Sequence, residues 1–459
     1  MITRQTTVDG GKKTELVQKG QGAKDEAFKR LLWIERFHPE DFYKNLWLVP
    51  VVGCWKDLWT LMYMADTVHI DKFFDVIAEG INDEYNKDLV KKYLPRIRSN
   101  SKCNTDWATK TNDLAKMFCN HVGWSYSRYR HFKSTGKAHE FQRIICAGLY
   151  KNINWKTIPG KALLNLVSGQ FLKKHNLESS YVDWLNTQPV AKFNGYPYEL
   201  LMKLRPYSNV SLAQKVTIDK QFKGLIETAS KDNGGLKGNI LCALDTSGSM
   251  TREIQGGPVG LTSYDVCVSL GIYFSELNKG AFHNHVAMFD DVSGMLELKG
   301  EFSDKYRQIV NSNTAWGSTN FQSLIDLLVR TRTQKPNIPI EDFPDTLLVI
   351  SDMQFNPSGS RSNLDAAREN LRLYFPDEYV KNFKFVWWYC AGRKTSDVPA
   401  TMDDAGNYLF SGFDGAIVDL LLGTEPKVNP ETGEKVQPSM EDMVNMALSQ
   451  EVLALVQPA

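Results

Sequence analysis

The run from Ile240 to Met250, ILCALDTSGSM, constrains the fold of this chain more than any other stretch. Five apolar residues in succession, ending at a polar turn, read as a strand buried on both faces, as in a parallel sheet covered by helices. In such sheets ligands bind beyond the carboxyl ends of the strands. Asp245, Ser247 and Ser249 follow the strand directly at two-residue spacing. Gly248 between the serines allows a tight turn, so one carboxylate and two hydroxyls can face one point.

The residues around this run fit the same reading. Short apolar segments at Asn239–Leu244, His285–Phe289, Met295–Leu298, Thr346–Ser351 and Phe383–Cys390 are predicted strands. Helices are predicted at Ser263–Asn278, Asp304–Ser312, Phe321–Arg332 and Asn363–Tyr374. Alternation of this kind implies a Rossmann-like α/β domain with a mostly parallel sheet, placed at residues 237–422. Two more loops supply oxygen ligands at the same edge: Thr319, in Gly317-Ser318-Thr319-Asn320, and Asp352, directly after the Leu347–Ser351 run. A set made only of carboxylates and hydroxyls suits a hard cation, Mg²⁺ or Mn²⁺, rather than zinc. Asp290 and Asp291 end another strand and read as exposed loop carboxylates, with a supporting place at that rim the alternative, and the glycine-rich Thr251–Leu261 connection is long enough to form a flap over it.

The residues before about 235 carry a different texture. Trp55, Leu58, Trp59 and Met62 fall on one helical face, and Leu114, Met117, Phe118 and Val122 repeat the pattern. Pro39 and Pro50 bracket a predicted helix at Asp41–Leu48. Strand-like alternation is not evident here. The expectation is an N-terminal arm at 1–20 and an all-helical domain at 21–235, with a HEAT-like solenoid one arrangement open to it. Residues 423–438, rich in Gly and Pro, read as a linker, and 439–459 as a C-terminal amphipathic helix.

Charge is distributed unevenly. Between Lys91 and His175 stand 17 Lys and Arg against three acids, a net +14 in a chain whose total is +1. Such asymmetry is the footprint of a nucleic-acid surface. Aromatic residues are interleaved with it, from Trp124 to Lys133, which suits single-stranded RNA, where bases stack and phosphates pair with cations. The candidate contacts are Arg96, Arg98, Lys102, Arg128, Arg130, His131, Lys133 and Lys137.

Other classes find no support. There is no GxxxxGK[ST] loop and no HExxH, and DTSGSM is not a GxSxG nucleophile elbow, so no enzymatic activity is expected. Seven scattered cysteines without a CxxC pair argue against a disulfide framework or zinc cluster. No apolar run approaches the ~18 residues of a membrane span, and the polar Met1–Thr14 segment is no secretory signal. A cytoplasmic protein without a membrane partner is the expectation.

The DxSxS loop, Thr319 and Asp352 together resemble the metal-ion-dependent adhesion site of the von Willebrand factor A (vWA) family. A helical half with a basic belt followed by such a domain resembles the Ro ribonucleoprotein (TROVE) architecture. It is more similar still to a TROVE-like family of plants, large viruses and phages. The likeness runs over roughly residues 20–422 through Gly22-Ala23-Lys24-Asp25, Val52-Gly53-Cys54-Trp55-Lys56-Asp57-Leu58, Ser127-Arg128-Tyr129-Arg130, Asn154-Trp155-Lys156-Thr157-Ile158-Pro159-Gly160 and Gly195-Tyr196-Pro197-Tyr198-Glu199-Leu200. It implies a helical ring or arc that holds single-stranded or structured RNA, with metal at the rim. Two positions depart from the pattern: Asn320 where such loops often carry an acid, and Tyr198 where relatives often have histidine. Two functional readings stay open. One is a non-catalytic RNA-binding ribonucleoprotein component. The other is an assembly factor, viral or phage in origin, whose metal grips an acidic residue of a protein partner.

Overall fold

The structure, a computed structural model, describes residues 2–8, 12–18, 24–65, 69–99, 103–135, 140–187, 193, 195–205, 210–232, 238–254, 257–289, 292–312, 320–352, 363–390, 406–411, 427–428, 435–436 and 455–458. The chain forms two compact units. The first holds Met1–Lys19, Lys24–Leu149 and Leu448–Ala459; the second holds Gly20–Ala23 and Tyr150–Ala447. The change of texture near residue 235 therefore marks where helices give way to strands, while the units divide at Leu149 and Tyr150.

The first unit opens with an antiparallel hairpin, β1 (Ile2–Val8) and β2 (Lys12–Gln18), in register from Ile2 opposite Gln18 to Val8 opposite Lys12. This corrects the expectation of no strands in this half. The pair is mostly polar, so hydrophobic alternation could not signal it, although Asp9-Gly10 between the two runs is a hairpin dipeptide.

Helices follow. Trp55–Met64 buries Trp55, Leu58, Trp59, Leu61 and Met62. Gly80, on the helix Ile70–Asn82, lies so close that a Cβ there would sit 2.2 Å from the Trp55 ring. Asp106–His121 contributes Leu114, Ala115, Phe118 and Cys119 to the same core. Of the predicted face Leu114 and Phe118 are buried and Val122 packs against the same core, while Met117 is exposed. Pro50 does not end a helix either. The chain forms Pro39–Lys44 and then Leu48–Val52, with Pro50 inside the first turn of the second, where no amide hydrogen is required. The described tail residues 455–458 return to this unit: the Asn45 carboxamide donates to Gln457 O and accepts from Gln457 N at 2.7 Å, and Lys44 Nζ donates to Pro458 O. Most of the predicted C-terminal helix lies outside the described residues.

The second unit is built on a six-stranded sheet: β3 (Ile240–Leu244), β4 (His285–Met288), β5 (Gly294–Glu297), β6 (Thr346–Ser351), β7 (Lys384–Tyr389) and β8 (Asn407–Ser411). Its order is β5-β4-β3-β6-β7-β8, parallel throughout except for the β5 edge. β3 and β6 are buried along their whole length, as continuous apolar runs require. Alternate residues serve two cores. Ile240, Cys242 and Leu244 face the helix Ser263–Leu277, while Leu241 and Ala243 face Phe321–Gln334 and Asn363–Arg372. Gly271 lets the first of these helices approach closely; a Cβ there would lie 2.3 Å from Leu244 Cδ2. Leu200, Leu201, Leu204, Ile218 and Phe222, from helices Pro197–Leu204 and Leu212–Asp232, pack into the Leu244 core.

The architecture is thus α plus α/β, a helical N-terminal region followed by a mostly parallel mixed sheet with helices. β8 was not anticipated. Within the expected linker, Lys427–Val428 (β9) pairs antiparallel with Lys435–Val436 (β10), separated by the turn formers that suggested a linker. Among the described residues no helix is long and apolar enough to cross a membrane.

Candidate metal site and nucleic-acid interface

β3 and β6 lie side by side in parallel, with Leu244 opposite Ile350, so the residues just past both strands meet at one sheet edge. Asp245 is 1% exposed there. Its Oδ1 accepts from the Ser247 amide at 3.0 Å and its Oδ2 from the Ser351 hydroxyl at 2.6 Å. Ser247 Oγ and Ser249 Oγ stand 3.1 Å apart, a hydroxyl pair already gathered by the turn after Asp245. Asp352 is also buried, and its Oδ1 has no hydrogen-bond partner among the described residues. Burial pushes the Asp245 carboxyl above its ordinary range; the bonds from Ser351 and Ser247 pull it back, and the Asp352 charge raises it again. At the end of β6, Cys267 Sγ donates to Ile350 O and Cys390 Sγ to Ser351 O.

Thr319, Asp290 and Asp291 lie outside the described residues. Asn320, which follows Thr319, caps the helix Phe321–Gln334, its Oδ1 accepting from Gln322 N at 3.1 Å. Ser351 is the residue that sequence reasoning missed. It is the one polar side chain closing an apolar strand, and it fixes Asp245. The described part of the 251–261 connection is anchored: Ile254 N donates to Leu261 O at 2.9 Å, both side chains are buried, and Val259 is exposed at the tip. Tyr198 is core, stacked on Tyr196 at 5.4 Å. Among the described residues no three His, Cys, Asp or Glu side chains gather as a metal cluster. All seven cysteines are free thiols.

The basic belt divides between the units, and every candidate RNA contact falls in the first. Ser125 caps the helix Tyr126–Ser134, accepting from Arg128 N at 3.1 Å. Tyr129, fully buried on its inner face, donates to Pro95 O at 2.8 Å. The Asn112 carboxamide accepts from Arg98 N at 2.7 Å, pinning the neighbouring segment. On this scaffold Arg96, Arg98, Arg128, Arg130 and His131 are exposed. Arg128 lies 4.8 Å over the Trp124 ring, and Lys91 4.8 Å over Phe132, with the two rings edge-to-face at 5.1 Å. Lys133 differs: its Nζ donates to Lys91 O at 3.2 Å and to Leu94 O, at the end of the helix Lys87–Tyr93. Burial, then the Arg96 charge, lowers its pKa. It is a cation engaged in holding two segments together. Lys102 and Lys137 lie outside the described residues.

Residues 239–457 match a domain of unknown function (DUF7788). An alignment of 451 positions, covering 90% of this chain and 76% of an uncharacterized protein of Acanthamoeba polyphaga mimivirus, is 22% identical. A structural neighbour is the Ro (RSR) protein of Deinococcus radiodurans in its crystal structure, at 15% identity and TM-score 0.39, covering 88% of this chain and 92% of that one. A superposition this loose says nothing about function.

Proposed function

We propose that the protein is a non-catalytic, RNA-binding ribonucleoprotein component of TROVE-like type, with a vWA-like metal site in its second unit. The exposed Arg96, Arg98, Arg128, Arg130 and His131, held on a scaffold pinned by Tyr129 and Asn112, carry this reading. Cations interleaved with aromatic rings suit single strands, whose phosphates they neutralise and whose bases they stack.

The metal half of the proposal rests on the fit of its donors. Asp245, Ser247, Ser249 and Asp352, with Thr319, are the residues that would hold Mg²⁺ or Mn²⁺, and Asp352 Oδ1, without a partner among the described residues, is a buried oxygen that a cation would satisfy. The bound ion would supply a Lewis-acidic coordination position for an oxygen ligand. The strand order with one antiparallel edge is consistent with a vWA domain. The same donors favour a second reading, an assembly factor whose metal takes a carboxylate from a protein partner.

Purification from the native source at low salt, with and without nuclease, separates the two. A discrete RNA that is lost on Arg128→Glu and Arg130→Glu supports the first. A nucleic-acid-free preparation carrying a protein that EDTA releases overturns it in favour of the second.

A further inference from the structure

The first unit contains a cleft of about 470 Å³ between the end of helix Ile70–Asn82, the helix Lys87–Tyr93 and the helix Tyr126–Ser134. Lys87, Lys91, Arg128 and His131 line it together with Trp124 and Phe132, and among the described residues no acidic side chain lines it. Lys91 is held in the wall, 11% exposed in its side chain, with its ammonium over the Phe132 ring and 3.6 Å from Asp88.

We propose that this cleft binds a nucleotide carrying a terminal phosphate, presented by the end of an RNA strand or as a free mononucleotide. The proposal deepens the RNA-binding reading and rests on it for the first of those sources. Three observations support it. A pocket in the ~300–1,000 Å³ range takes one small ligand, so the charge around it acts on a single nucleotide. An internal phosphodiester brings one negative charge, whereas a terminal phosphomonoester brings about −1.5 to −2 near neutral pH. Lys87 and Arg128, with Lys91 shared with Asp88, offset the second better than the first. Finally, the Trp124 and Phe132 rings, edge-to-face at 5.1 Å, give a base an aromatic wall, and the Asn82 carboxamide in the cleft offers both a donor and an acceptor to its edge.

The test uses the full chain. Adenosine 5′-monophosphate and adenosine are titrated calorimetrically, and single-stranded oligonucleotides with 5′-phosphate or 5′-hydroxyl ends are compared by fluorescence anisotropy. The phosphorylated member of at least one pair should bind on the order of tenfold more tightly, the worth of one charge-assisted hydrogen bond. Lys87→Ala and Arg128→Ala, both at exposed positions, should abolish that preference. Arg96→Ala, outside the cleft, should weaken oligonucleotide binding but keep it. A preference confined to the mononucleotide identifies a free nucleotide as the ligand; one shared by the oligonucleotides identifies a strand end. Equal affinity within both pairs, or a preference that survives Lys87→Ala and Arg128→Ala together, overturns the cleft proposal. In that case salt-sensitive binding of the oligonucleotides would leave the RNA reading standing. Conversely, a mononucleotide preference without any oligonucleotide binding would sink the RNA reading and keep the cleft.

Discussion

Asp352 leaves one carboxylate oxygen buried and without a partner among the described residues, immediately beyond a strand whose last side chain, Ser351, is committed to Asp245. An unsatisfied buried acceptor costs about 1–3 kcal/mol, and two adjacent buried carboxylates add repulsion to that cost. A divalent cation would relieve both. Mg²⁺ or Mn²⁺ at about a hundredfold above its Kd should therefore stabilise the folded protein by ~2.7 kcal/mol. Scanning calorimetry should show the sheet-bearing unit melting on the order of 5 °C higher with metal, and Asp245→Asn should cancel the gain. Equal shifts in both proteins would place the ion elsewhere. At this scale the sequence displayed the donors but not their supports. DTSGS stands out because a strand ends there, whereas Ser351 looks like any strand residue until the Leu244–Ile350 register sets it beside Asp245. Lys133 shows the opposite case: a cation in a basic run reads as ligand-facing, yet the carbonyls of Lys91 and Leu94 claim it.

The centre of the sheet was legible because β3 and β6 are unbroken apolar runs and the helices Ser263–Leu277 and Phe321–Gln334 beside them are long. The predicted Ser263–Asn278 and Phe321–Arg332 agree with the observed Ser263–Leu277 and Phe321–Gln334 to within two residues. Elements whose identity depends on their neighbours were not. β8 is a short edge strand that acquires its meaning from β7, and the β1–β2 hairpin has too little apolar alternation to announce itself. In the helix Asp106–His121 the apolar spacing put Met117 on the buried face with Leu114 and Phe118, whereas Ala115 is buried there and Phe118 packs against Trp59 and Phe74. Phe118 lies fully inside that cluster and Met117 outside it. Phe118→Ala should accordingly cost ~3–5 kcal/mol, and Met117→Ala should change stability by less than about 0.5 kcal/mol. Chemical denaturation of the two variants reads both numbers. A comparable loss from each would mean that the helix is rotated.

On the scale of the molecule, the division into units separates the two sets of candidate site residues. All the candidate RNA contacts and the aromatic cleft belong to the first unit, while Asp245, Ser247, Ser249 and Asp352 belong to the second, where helices from Tyr150 onward share a core with the sheet. Composition alone could show the +14 belt but not that division, because Lys91–Arg143 and Lys151–Lys174 form one continuous charge run in the sequence and fall in different units. If the units act separately, RNA affinity should be insensitive to the metal site. The most direct test is the salt dependence of single-stranded RNA binding. Neutralising about six phosphates predicts a slope of roughly −4 in log K against log salt, a loss of a few hundred-fold between about 50 and 200 mM. Arg128→Glu with Arg130→Glu should flatten that slope, and Asp245→Ala should leave it unchanged. A flat slope in the unaltered protein, or binding abolished by Asp245→Ala and EDTA while the arginine variants bind normally, would contradict the account.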